Sequence, residues 1–469
     1  MEFEDSLDQE QIRHLISAYE EACRTNARLH LDSDAYEQII VYYLEKRDFN
    51  QAADVIELAL SHFPGEAFFY VKKAELLAEK GHTKEAFDLL DYAELLDASD
   101  PNIWLVRADL YLWQGEYERS EAVIQQGLKL NMQPEERCEL LLELADVYEN
   151  QQRTDDMVKA LKQALHVRPD SEEAIGRLWF HYEVTEQFQD SIDFHKELVD
   201  LSPYNKLAWF NLGHAYASLD CFDDALDALG YCTAIDDQFE PAYTCMGDVY
   251  FLRNQYQEAL DCYLTSIQIH PMFKELLFKA GECYEKLADF KRAKQHFRKA
   301  ISLDPQYHEA FFRLGEIQVA QQEFAQAVRS FEKAIKLNPD DAEYLNTLAD
   351  VFMFELADER AIDLYEKVLR QDTLQKQSYV NLATAYFNFH LPVQALDVLD
   401  QAQQRFEEIA DLLYIRFVFS YRLGNRKSAL VSLQQALLED FPQHRMIFDM
   451  DEQLLHDAAV LDVISRFRI

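Results

Sequence analysis

The sequence predicts an all-α fold made of short antiparallel helices repeated along one direction. Three observations carry that expectation. Glycine is scarce, 11 in 469 residues, where an average chain carries about 7%, and folds that turn repeatedly at positive φ depend on it. Gly213, Gly247, Gly281 and Gly315 recur every 34 residues, inside Leu-Gly-His-Ala-Tyr, Met-Gly-Asp-Val-Tyr, Ala-Gly-Glu-Cys-Tyr and Leu-Gly-Glu-Ile-Gln. Six of the eleven prolines, Pro64, Pro169, Pro203, Pro271, Pro305 and Pro339, also share one place in that period.

Carried outward, the frame places twelve units starting at Ser33, Ala67, Pro101, Cys138, Glu172, Lys206, Glu240, Lys274, His308, Ala342, Lys376 and Ala410. All intervals are 34 residues except the 37 between Pro101 and Cys138, so the array fills residues 33–443. Counting from each start, position 20 is Ala in nine units: Ala52, Ala86, Ala225, Ala259, Ala293, Ala327, Ala361, Ala395 and Ala429. Positions 4, 7, 8 and 11 have the spacing of one helix face. Small residues at 8 and 20 let two helices approach, and large ones at 4, 11 and 24 fill the space around them. Proline at 32 lacks an amide hydrogen and ends the second helix. A single pair cannot bury its apolar face, and stacking on neighbours does so.

This pattern resembles the tetratricopeptide repeat, whose signature W-x2-L-G-x2-Y, A-x3-F, P it follows over about 88% of the chain. The resemblance implies an all-α, right-handed superhelical solenoid of about twelve repeats. Residues 1–32 are expected to form an N-terminal capping helix, with Asp8 as N-cap and Ile12, Leu15, Ile16, Tyr19 and Cys23 on its buried face. Residues 444–469 are expected to form a C-terminal capping helix with Leu454, Leu455, Ala458, Leu461 and Ile464 inward, ending in Arg466 and Arg468.

Charge narrows the partners. There are 85 acidic and 45 basic side chains, a net charge of −40 and a pI near 4.6. Nucleic acid and anionic membranes are therefore not expected partners, since no local basic patch is visible in the sequence. The start, Met1-Glu2-Phe3-Glu4-Asp5, lacks a basic then apolar leader, and no apolar run is long enough to span a bilayer. The seven cysteines show no paired metal spacing. A cytoplasmic protein with reduced thiols is expected.

Nucleotide, zinc, hydrolase and calcium motifs are missing, so neither a catalytic residue nor a metal site nor a cofactor is expected. The resemblance instead implies an extended concave face lined by the first helix of each unit. Position 9 there holds Glu75, Asp109, Asp146, Asp248, Glu282, Glu316 and Asp350, interrupted by Phe180 and His214. Seven like charges at one register form two acidic ladders. They are either a surface for a basic segment, or a solvated face balanced by Lys72, Lys279 and Arg313 three residues earlier on the same helices. Position 2 is acidic as well, but first-turn carboxylates suit the helix dipole.

Phe210, Phe278 and Phe312 at position 5, with Phe251 and Phe387 at position 12, supply apolar groups between the acids or pack between units. Position 5 is never Lys and position 9 never Asn, so the carboxylate clamp by which some family members hold chaperone tails is not expected. The sequence thus points to a non-catalytic scaffold that binds a protein or peptide with a basic, partly apolar segment. Chaperone-like shielding of a basic client is the alternative, and a regulatory subunit or unrecognised enzyme stands third. Trp179 replaces the small residue at position 8 and a Gln133–Arg137 insertion precedes it, so a change of curvature is expected over 134–205.

Overall fold

The computed structural model describes residues 2–25, 31–371 and 375–467, with side chains from Ile12 onward. Among the described residues every regular element is helical. The chain divides into two compact units, Met1–Ala242 and Tyr243–Ile469.

The first unit opens with helix Glu2–Thr25. Six helix pairs follow, whose first helices begin at Ser33, Ala67, Pro101, Pro134, Glu172 and Lys206. In the second unit, helix Tyr256–Ile269 is followed by pairs beginning at Lys274, His308, Ala342, Lys376 and Ala410. Each pair is antiparallel because a tight turn reverses the chain between its helices. At position 15 the backbone enters the left-handed region: Gly81, Gly115 and Gly424 at φ 76°, 74° and 80°, and non-glycine residues such as Arg47, Asp220 and His390 at 56–60°. The following amide then reaches back to the last turn, as in His82 N to Leu77 O at 2.8 Å and Cys221 N to Tyr216 O at 2.9 Å.

The packing that joins the two helices of a pair rests on two small residues and one large one. All nine position-20 alanines are fully buried. A Cβ built on Gly247, Gly281 or Gly315 would meet the ring of Tyr263, Phe297 or Phe331 at 2.5–2.6 Å, and one on Gly213 would meet Leu229 at 2.7 Å. Those four partners all stand at position 24. The glycines are therefore required by close approach, since each is mid-helix with ordinary backbone angles. Where Ser120 replaces alanine, its hydroxyl donates to Ala108 O at 2.9 Å, satisfying a buried polar group.

Three local expectations are corrected. Helix Glu2–Thr25 runs through Asp8, which is therefore not its N-cap. The Gln133–Arg137 insertion becomes an extra first turn of helix Pro134–Asn150, which Gln133 and Glu136 close as a capping box, while the preceding helix stops early at Gly127. The segment after residue 443 is not one helix. Asp451 and Asp457 each cap a new helix start, giving the 3-10 turn Glu452–His456 and then helix Ala458–Arg466. Ile447, Leu454, Val460, Val463 and Ile464 are buried there, whereas Leu455 and Leu461 are exposed. Arg468 lies outside the described residues.

One pair departs from the rest. Helix Ala342–Asp350 continues into a π turn, Val351–Glu355, which inserts one residue and moves the left-handed residue to Ala357. Ala361 nevertheless returns to the buried position. In urea denaturation followed by circular dichroism, Gly281→Val is expected to destabilise the second unit by about 1–3 kcal/mol through overpacking against Phe297. Gly176→Ala, at an exposed helical site with open space around it, is expected to stabilise by about 0.5–1 kcal/mol.

An acidic row stapled between neighbouring helices

Position 9 lies two turns into the first helix of a pair, one residue past the glycine contact, so its side chain leaves the packed seam toward the adjoining first helix. In the second unit Asp248 accepts from the Tyr263 hydroxyl at 2.6 Å and from Lys279 Nζ at 2.6 and 2.8 Å. Arg313 bridges Glu282 at 3.1 Å and Glu316 at 2.9 Å, and stands 3.8 Å from Glu285. Asp350 accepts from the Tyr365 hydroxyl. Aspartate thus appears where position 24 is tyrosine, and the longer glutamate where position 24 is Phe297 or Phe331 and offers no hydroxyl. Lys279 pairs with Asp248 on the preceding first helix, so the expected same-helix pair with Glu282 is replaced by a contact between repeats.

In the first unit position 24 is aliphatic, Leu90, Ile124 and Leu161, so it offers no hydroxyl to Glu75, Asp109 or Asp146. Glu75 pairs with Lys72 on its own helix at 2.7 Å. Asp146 pairs with Arg177 of the next first helix at 2.7 Å, and Arg177 also holds Glu149 at 2.9 Å. Asp109 meets a carboxylate. Burial first, and then the Asp109 charge and hydrogen bond, push the Glu143 carboxyl up to about 9. Burial also raises Asp109. The pair therefore holds a proton at neutral pH.

Sequence reasoning missed Glu143 and Arg177, and missed that Lys279 and Arg313 reach back to the preceding unit; all four stand at position 6 of the following unit, and the expected pair of Arg313 with Glu316 is present. A signal existed, because Asp146 to Arg177, Asp248 to Lys279 and Glu282 to Arg313 are each 31 residues apart. Each unit still keeps more carboxylates on this face than cations to staple them.

The aromatic residues divide differently. Phe312 is 5% exposed, stacked on Tyr344 at 4.4 Å, and belongs to the core between helices, so it is withdrawn from the binding face. Phe387 stacks on Phe419 at 4.0 Å, and Phe278 packs against Phe297 and Tyr307. Phe210 lies against Phe239 and His214, and Phe251 against Tyr256. All four are half-buried. An exposed apolar pair stands at the break in the row, where Phe180 and Val184, one turn apart, are 64% and 67% exposed. Beside them His214 lies 3.0 Å from Glu183.

Behind that break, His195 occupies position 24 and is fully buried. Its Nδ1 donates to Ser191 O at 2.8 Å and its Nε2 accepts from Asn211 Nδ2 at 3.2 Å, which defines a neutral ring. Burial holds its pKa down to about 4.

Family models agree with this architecture. A model described as tetratricopeptide repeat matches residues 286–351, one described as TPR repeat matches 247–287, and a second described as tetratricopeptide repeat matches 140–175. Residues 140–175 and 247–351 thus match tetratricopeptide repeat models. Among solved structures the chain is similar to a tetratricopeptide repeat protein from Parabacteroides merdae, at 13% identity over 56% of this chain and 99% of that one, TM-score 0.38. It is also similar to the Cut9–Hcn1 hetero-tetramer of the APC/C, at 14% identity over 94% and 97%, TM-score 0.36. YrrB, a TPR protein with an unusual peptide-binding site, matches at 18% identity over 39% and 95%, TM-score 0.35. No curated protein matches the chain. Among the described residues no helix is long and apolar enough to cross a membrane.

Two outcomes follow from the titratable groups. Glu143 has a folded pKa above its unfolded one, so its penalty is absent below about pH 4.5 and grows as pH rises toward 9. Glu143→Gln is expected to raise stability by about 1–3 kcal/mol at pH 8 and by less at pH 5, measured by urea denaturation at both values. His195 has a folded pKa below its unfolded one. The stability it contributes is full above about pH 6.5 and is lost as pH falls toward 4. A thermal melt series over that window should flatten in His195→Gln.

Proposed function

We propose that this protein is a non-catalytic interaction scaffold whose position-9 face, in each unit, binds a partner segment carrying basic residues and apolar anchors. The division into twelve repeats over 33–443, with a cap at each end, belongs to the same reading, as does a cytoplasmic location, which the free thiols support. The observation that carries the proposal is the residual charge on this face. In the second unit Asp248, Glu282, Glu285 and Glu316 share Lys279 and Arg313, while Asp350 is answered by the Tyr365 hydroxyl. A cationic side chain entering there replaces hydration with ion pairs next to low-dielectric protein, and steering by a chain of net charge −40 accelerates its arrival.

The exposed Phe180 and Val184 pair interrupts the carboxylates and suits an apolar anchor on the same segment. It also favours the second reading, chaperone-like shielding of a basic client, because a transient apolar surface needs such a contact.

Fluorescence anisotropy with labelled peptides tests the proposal. Peptides in which Lys/Arg alternate with Leu/Phe should bind, weaken as salt rises past about 0.15 M, and lose about tenfold with Glu75→Gln, Glu282→Gln and Glu316→Gln combined. Equal binding of acidic counterparts, or no loss in a folded triple variant, overturns it. Suppression of client aggregation without a stable complex would favour shielding.

A further inference from the structure

The 34-residue spacing is interrupted once, and a cavity of about 560 Å3 lies at that interruption. It sits between the end of helix Tyr117–Gly127, the start of helix Pro134–Asn150 and the last turns of helix Thr154–Val167. Leu128, Leu141 and Val167 form its aliphatic floor, while Lys129, Arg137 and His166 line its rim; no described carboxylate lines it. This gathering of cations is invisible in the sequence, where the three residues span 37 positions of a chain with 85 acids and 45 bases.

The cations are not committed elsewhere in equal measure. His166 is held by Lys162 O at 2.7 Å and Glu197 Oε1 at 3.0 Å, so both ring nitrogens are engaged and its charge is answered by Glu197. Arg137 spends Nη1 on Leu128 O at 3.0 Å, which fixes the guanidinium over the floor and leaves its other N–H groups open. Lys129, exposed on the turn created by the early stop at Gly127, forms no ion pair among the described residues, nor does Arg137. Two cations that line one cavity without an ion pair leave positive charge that an anion there can answer.

We propose that this cavity is a binding site for a phosphate-type oxyanion. A fixed guanidinium takes two oxygens of such a group side by side and the Lys129 ammonium takes a third, a geometry that matches a phosphate better than a carboxylate. The volume falls in the range of small-molecule sites, and the aliphatic floor accommodates the carbon of an ester. The site is separate from the position-9 face and does not depend on it.

Isothermal titration of the full chain with inorganic phosphate, phenyl phosphate and acetate, at about 0.15 M ionic strength to screen the global negative field, tests this. Both phosphates should bind saturably at one site, acetate more weakly, and Lys129→Glu should weaken phosphate binding at least about tenfold. Arg137→Lys, which keeps the charge and loses the fork, should weaken it as well, with circular dichroism showing both variants folded. Tighter binding of phenyl phosphate assigns the site to an organic phosphate, and equal binding assigns it to free phosphate. Absence of saturable binding of either phosphate below about 10 mM, or unchanged binding in both variants, overturns the proposal.

Discussion

The close approach of two helices at a small residue is the constraint on which the remainder of this structure depends. Gly247, Gly281 and Gly315 leave no room for a Cβ against the rings at position 24, and the buried alanines at position 20 set the same distance from the other helix. Once that distance is fixed, the large residues at positions 4, 11 and 24 have defined space, and successive pairs stack at a repeated interval. Position 9 sits one residue beyond the glycine, so its direction follows from the same contact.

That geometry explains why the acidic row is tolerated. Carboxylates at one register on adjoining helices repel each other, and here each is answered individually. Tyrosine hydroxyls serve Asp248 and Asp350, Arg313 serves Glu282 and Glu316, Arg177 serves Asp146, and a shared proton serves Asp109 and Glu143. The tyrosine staples run within a repeat and those of Arg177, Lys279 and Arg313 between repeats, so the row is fixed in place before any partner arrives. It is also left net negative, which is the basis of the proposed capture of positive charge. The cavity beside Lys129 and Arg137 shows the opposite polarity at the place where the repeat spacing slips.

The helix pairs were legible in the sequence because their determinants are local and periodic: a glycine, an alanine and a proline at fixed register. The turns were legible only in part. Among the described residues nine left-handed ones are not glycine, and nothing in Arg47 or Gln322 by itself marks a positive φ. The π turn at Val351–Glu355 was invisible because Ala361 keeps its register around it. The pairs of Lys72 with Glu75 and Arg313 with Glu316 follow a single-helix rule, but the cross-repeat partners lie 31 residues away on the next unit's first helix, beyond any such rule. The pairing of Lys279 with Asp248 rather than Glu282 shows the consequence. Phe312 failed as a surface residue because position 5 faces the neighbouring helix, where Tyr344 covers it. The C-terminal cap departed from one helix because Asp451 and Asp457 each start a new one.

Hydrogen exchange read by mass spectrometry, with and without a saturating basic and apolar peptide, tests the central claim most directly. A stapled acidic face that receives such a segment predicts slower exchange in the first helices of the pairs, at Asp146–Asn150 and across Lys274–Lys286 and His308–Ala320, with the second helices unchanged. Protection confined to the second helices, or none at a peptide concentration that saturates binding, would contradict it.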